Sequence, residues 1–172
     1  MKRILEYLVD LSQNNNREWY HSHKELYKAA QADFENFIGE LIYAISEFDN
    51  SVIHNVPKDL TFKMVRDIRY SHDKSPYNPT FRAHISAAGK LPVPVGYYIA
   101  IAPENRSFLG GGLFASMFKE ATAMVRDYIT SNGKEFNNII SEKAFVEHFV
   151  VKGDALKKYP KSMMLHIHKP NT

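Results

Sequence analysis

The sequence predicts an α+β fold: a mostly antiparallel sheet over about residues 60–115, packed with N-terminal and C-terminal helices. Three observations predict it. Apolar residues recur at spacings of three and four along the first 48 residues. The middle turns into short aromatic and β-branched runs bounded by Pro, Gly or Asn. Helical periodicity then resumes after Ser116.

Residues 2–11 read as an amphipathic helix, with Ile4, Leu5, Leu8 and Leu11 on one stripe. "SQNNN" ends it, because Ser and Asn side chains compete for their own backbone. From Arg17 to about Phe48 the pattern is again helical, running through Trp19, Leu26, Ala30, Phe34, Ile38, Leu41 and Ile45. Asn16 is its expected N-cap, and Ser22 a cap for a second segment. "DNSVIHNVPKD" reads as loop. "LTFKMV", "TFRAHISA", "VGYYIAIAP" and "RSFLGGGLF" read as strands, with "PENR" (103–106) a tight turn between the last two. "SMFKEATAMVRDYITSNG" reads as a helix capped by Ser116 and stopped by Gly133, and "KEFNNIIS" and "EKAFVEHF" as two shorter ones.

Composition narrows the function classes. The 172 residues are 44% hydrophobic and 24% charged, which is enough for one ordinary domain with its own core. There is no cysteine, so disulfides, thiolate metal sites and cysteine nucleophiles are excluded. Glu6 and Asp10 interrupt the apolar N-terminal run, against a signal peptide, and no stretch reaches the ~20 apolar residues of a membrane span. A cytoplasmic protein with no membrane partner is expected. A formal charge of +3 permits anionic partners without demanding them.

Chemistry concentrates in "KMVRDIRYSHDKSPY", residues 63–77. Arg66, Arg69 and Lys74 could converge on a phosphate or carboxylate. Asp67 is the candidate base or orienter, and Tyr70 and Tyr77 candidate walls. Strand alternation aims Arg66 and Arg69 at opposite faces, so a site requires the turn at Ser71–Pro76 to fold Lys74 back. The competing reading is structural: each arginine pairs with an acid and the tyrosines pack. Gly110, Gly111 and Gly112 in "LGGGLF" weaken a strand, which points to a bulge or to close backbone approach by a ligand. No Walker loop, dinucleotide fingerprint, serine elbow or metal-ligand spacing accompanies them, so no cofactor is indicated and no metal is expected.

The stretch resembles the signature of a mainly bacterial family of uncharacterised proteins, R-x-x-R-D-x-R-[FY]-x-x-x-K-x-P-Y. Here Lys63 takes the first position, followed by Arg66, Asp67, Arg69, Tyr70, Lys74, Pro76 and Tyr77. "NNNREWYHSHKELY", "YYIAIAPENRSFLGGGLF" and "VRDYI" resemble further segments of that family. The resemblance covers nearly all of residues 1–161, taken as one domain, and implies no established activity. The 162–172 tail departs from it. Met163-Met164 must be encoded ATGATG, and a one-base shift permits Tyr-Asp-Ala-x-His-Pro, the continuation the family leads one to expect. A one-base deletion near codon 162 is therefore expected to have replaced the native C-terminus, making His166 and His168 incidental. An exposed apolar patch would follow.

Two functions stand open. The first is a small enzyme or ligand-binding domain holding an anionic small molecule among Arg66, Arg69, Lys74, Asp67, Tyr70, Tyr77 and the Gly110–Gly112 backbone. The second is a non-enzymatic module for nucleic acid or protein, using the same residues as an open basic-aromatic surface. A buried ionic network that only holds the fold is the third reading of the motif. A concave site favours the first, an open face the second.

Overall fold

The computed structural model describes residues 1–90, 95–113 and 115–152. The chain forms two compact units, residues 1–114 and 115–172.

In the first unit, α1 (Lys2–Gln13) buries Ile4, Tyr7, Leu8 and Leu11, spaced to share one face. Asn14 ends it, returning its N–H to the Asp10 carbonyl at 3.0 Å. Asn16 caps α2 (Arg17–Ser22) as expected, its side chain accepting from Trp19 N–H at 2.9 Å. The helical run expected from 17 to 48 divides into two helices, as a second segment implies, but one residue past the expected cap Ser22. His23 leaves helical geometry (φ −107°, ψ 23°), its ring stacks on Trp19 at 4.2 Å, and its Nδ1 lies 2.9 Å from the Trp19 carbonyl. Ser22 caps nothing and turns back to the same carbonyl at 2.9 Å. In α3 (Lys24–Ser46), Ala30, Phe34, Ile38 and Ile42 form a buried stripe at four-residue intervals. The loop after it holds a 3₁₀ turn (Asn50–Val52) and the short α4 (Pro57–Leu60).

Three antiparallel strands follow in the order β1 (Phe81–Ile85), β2 (Val95–Ile101), β3 (Phe108–Leu113). The fold is therefore α+β, and among the described residues its strands are confined to 81–113. "LTFKMV" is not a fourth strand. Thr61 bridges to Ala83, but Val65 bridges to Tyr77 instead, so the segment changes partner after one pair and no ladder grows. Between β2 and β3, "PENR" turns with φ of +60° at Glu104 and +57° at Asn105, and Arg106 N–H donates to the Pro103 carbonyl at 3.2 Å. Two successive left-handed residues match the right-handed strand twist.

Register fixes what each sheet face carries. Phe81, Ala83, Ile85 and Ile99 are buried in one cluster with α1 and α3. Arg82, His84, Tyr98 and Ala100, with Gly96, Phe108, Gly110 and Gly112, alternate onto the other face.

The second unit holds α5 (Lys119–Ser131), α6 (Gly133–Ser141) and α7 (Lys143–His148), and none of the three buries a residue. Two expected boundaries move. Helix α5 starts three residues past Ser116, with Phe118 in the cap position. It stops at Asn132 rather than Gly133, because Asn132 N–H and Nδ2 both return to the Tyr128 carbonyl at 2.9 Å, and Gly133 opens α6. Met124, Tyr128 and Ile139 are exposed. No described helix is long and apolar enough to cross a membrane. The expected replaced tail at 162–172, with His166 and His168, lies outside the described residues.

Candidate functional site

The 63–77 stretch is a closed loop with a buried foot and an exposed tip. Its foot is a two-stranded neck. Arg66 N–H donates to the Pro76 carbonyl at 2.9 Å, and Asn78 N–H to the Met64 carbonyl at 2.8 Å. Met64 and Tyr77 are buried. Tyr77 stacks on Tyr20 with centroids 4.1 Å apart at 16°, joining rings from Tyr7, Trp19, Tyr27 and Phe81.

Asn15 locks that foot. Its Oδ1 accepts from Tyr77 N–H at 3.1 Å, and its Nδ2 donates to the Tyr77 carbonyl at 2.9 Å. A side-chain amide here does what an adjacent strand would do, satisfying both backbone groups of a buried residue. Around it, burial raises the Tyr7, Tyr20 and Tyr27 hydroxyls above their ordinary range.

The tip is built from charges that pair within it. Arg66 bonds the Asp73 carboxylate, and its second amino group approaches Ser71 Oγ at 3.3 Å. Arg69 binds Asp67 through Nε at 3.0 and 3.2 Å and through Nη2 at 2.6 Å. Each acid also accepts a backbone N–H two residues on: Arg69 at 3.2 Å for Asp67, Ser75 at 2.9 Å for Asp73. These are Asx turns, which is why aspartate occupies both places. Hydrogen bonds from Ser75, then the Arg66 guanidinium, hold the Asp73 carboxyl well below the usual range. Arg69 does the same for Asp67. Lys74 folds back over the tip and donates to the Ile68 carbonyl at 3.0 Å.

The predicted site residues thus separate. Arg66, Asp67, Arg69 and Lys74 meet in the tip. Tyr70 stands 95% exposed beside the Arg69 guanidinium, which lies 6.0 Å from its ring centroid. Tyr77 is 5% exposed and belongs to the foot. Gly110, Gly111 and Gly112 lie in β3 and border a groove of about 170 Å³ with Gly96, Tyr98, Phe108 and Leu113, and no residue of 63–77 lines it. Gly112 needs glycine for its φ of +136°. Gly96 needs it for space: a Cβ there would lie 2.5 Å from His84 Nε2 and 2.7 Å from the Ile85 carbonyl. Among the described residues, no group of three His, Asp or Glu is placed to hold a metal.

A family model described as a conserved hypothetical protein (DUF2461) matches residues 3–169. The chain belongs to that family. No curated protein and no solved structure matches it. The DUF2461 match runs past residue 161, where the resemblance read from the sequence ends.

Within this DUF2461 chain, charge is unevenly distributed. Residues 58–90 carry seven Lys and Arg against three Asp and Glu, whereas residues 1–57 carry five against nine. The motif therefore sits in the basic segment of a unit whose first 57 residues are acidic. Sequence reading missed Asn15 as a clamp, treating "NNN" as a helix breaker, although the resemblance already singled that segment out. It also missed the close packing at Gly96.

Proposed function

We propose that this protein is a non-enzymatic binding module whose 63–77 tip contacts an anionic partner. The observation that carries the reading is the tip's openness. Tyr70 projects almost entirely into solvent beside Arg69, while the ion pairs beneath it hold the loop in one shape. An exposed aromatic next to a guanidinium is a poor way to stabilise a fold and a good way to meet a partner. Lys74 adds an exposed positive charge to the tip, and Lys63 is exposed near the foot. Pairing inside the tip also means that a partner meets a preorganised surface and spends little ordering it.

The test is retention on immobilised heparin with salt elution. Wild type is expected to be retained. Arg69→Ala/Tyr70→Ala is expected to elute at clearly lower salt, with a melting temperature within a few degrees of wild type, since exposed ion pairs contribute about 0–1 kcal/mol. Wild type in the flow-through, or a variant that loses stability while binding unchanged, would refute it.

A further inference from the structure

A pocket of about 340 Å³ lies where β2 begins and β3 ends, and no residue of 63–77 lines it. One carboxylate dominates its chemistry. Asp49 stands just ahead of the 3₁₀ turn, and its Oδ1 accepts from the Ser51 N–H at 3.2 Å and the Ser51 hydroxyl at 2.5 Å. Its Oδ2 accepts from the Tyr97 hydroxyl at 3.1 Å. All three donors are neutral, and among the described residues no cation is ion-paired with Asp49. The Ser51 hydroxyl, and then Tyr97, hold its carboxyl below the usual range, so it is ionised at neutral pH. A carboxylate offers about four lone-pair positions. Oδ1 already accepts two bonds and Oδ2 one, so the position left over is on Oδ2, beside the Tyr97 hydroxyl.

Beyond these hydroxyls, Ala87, Val95 and the Tyr97 ring line the pocket with apolar surface. Gly111 lies opposite Tyr97 in the ladder, and a Cβ there would lie 3.4 Å from Tyr97 Cδ1. The φ of Gly111 is outside the left-handed region, so glycine at 111 provides space rather than backbone freedom. It leaves that flank of the ring without a side chain from β3. The pocket volume is near the lower end of small-molecule sites, which limits the occupant to a few carbon atoms and one polar head.

We infer that this pocket binds a small organic cation, a primary alkylammonium, with its N–H groups on Asp49 Oδ2 and the Tyr97 and Ser51 hydroxyl oxygens and its alkyl chain along the Tyr97 ring past Gly111. An ammonium supplies the charge that Asp49 lacks, and its hydrogen bonds to an ionised acceptor are the strong kind. An anion would face Asp49 with like charge. A sugar would use the hydroxyls and leave the charge uncompensated. A metal ion would find a single carboxylate, since no group of three His, Asp or Glu is placed to hold one among the described residues. The site differs from the 63–77 tip in place and in the sign of the charge it takes, and does not depend on that reading.

The experiment follows the amide resonances of the nitrogen-15-labelled full chain as pentylammonium chloride is added, with pentanol as the neutral control of equal length. Pentylammonium is expected to shift the Ser51, Tyr97, Gly111 and Gly112 amides saturably and more tightly than pentanol does. Asp49→Asn keeps an acceptor for the Ser51 N–H and for Tyr97, and should weaken binding by about 10-fold or more, the loss of one hydrogen bond to a charged group. Gly111→Val should weaken binding with Asp49 intact, and Gly111→Ala serves where valine disturbs the fold. The amide spectrum itself reports whether each variant is folded. Nα-acetyl-lysine methylamide presents the same ammonium as a protein side chain would. Equal affinity for it assigns the cation to a lysine of a partner chain, and weaker affinity assigns it to a free amine. No saturable shift with pentylammonium, equal affinity for pentanol, or unchanged affinity in Asp49→Asn would each overturn the inference.

Discussion

Replacing Asn15 by alanine should cost more stability than any change in the exposed tip. The Asn15 amide makes two hydrogen bonds to the backbone of Tyr77, at 3.1 and 2.9 Å, and Tyr77 is buried. Each such bond contributes a net ~1 kcal/mol, and a buried group left unpaired costs about 1–3 kcal/mol. Asn15 is itself half-buried, so water can reach the vacated position and recover part of that cost. The expected loss is about 2–3 kcal/mol. At roughly 4 °C per kcal/mol for a unit near 100 residues, the melting temperature should fall by about 8–12 °C. Asn15→Asp should be no milder, because it keeps the acceptor for Tyr77 N–H but sets a second oxygen against the Tyr77 carbonyl. The assay is urea unfolding followed by Trp19 fluorescence. Trp19 is the single tryptophan, and it stacks on His23 and faces Tyr7 within the same aromatic cluster. A loss below about 0.5 kcal/mol for Asn15→Ala would mean that stacking on Tyr20, not the amide, holds the loop's foot.

Three further outcomes are expected. Gly96→Ala places a Cβ 2.7 Å from the Ile85 backbone carbonyl, which cannot swing aside, and should destabilise by about 1–3 kcal/mol in the same urea assay. Asp67 and Asp73 have folded-state pKa values below their ordinary 3.8, so their contribution is present above that value and lost as pH falls through the depressed ones. Stability measured from pH 7 to 4 should therefore show no acid step from these groups. The step should appear only below about pH 4, smaller in Asp67→Asn/Asp73→Asn. Tyr7, Tyr20 and Tyr27 are raised above 10.0, so the fold favours their neutral forms and loses stability as pH climbs past 10. Absorbance at 295 nm should show three tyrosines ionising only together with unfolding, and their free titration in the folded protein would contradict the burial seen here.

Legibility in the sequence followed the range of the forces involved. Helices α1 and α3 were readable because Ile4, Leu8, Phe34 and Ile38 repeat at the helical period, and burial enforces that period. The hairpin at 103–106 was readable because its turn chemistry is local. The break between α2 and α3 was readable to within one residue, from Ser22 as the cap of a second segment, but its place at His23 was not, since that depends on one ring stacking on Trp19. "LTFKMV" has the composition of a strand, but its two bridges go to different segments, and composition does not encode partner choice. In the candidate site Lys74 does fold back, onto Ile68, although the strand alternation from which that was argued does not form. The division of the tyrosines into an exposed Tyr70 and a buried Tyr77 was invisible, because it is set by Asn15, 62 residues away.

That long-range bond changes what the motif means. A single signature running from Lys63 to Tyr77 invites a single explanation, either site or scaffold, yet its two ends do different work. Asn15, Met64 and Tyr77 fasten the foot to the helices through buried contacts. Arg69 and Tyr70 touch nothing that the fold needs. Between them, Asp67 and Asp73 stiffen the tip by turn bonds that would form in any solvated loop of this shape. Stability and affinity should therefore separate along the motif: foot variants move the urea midpoint and tip variants move binding. A tip variant that shifted both together would return the whole stretch to a structural network, and it would do so without reference to any particular partner.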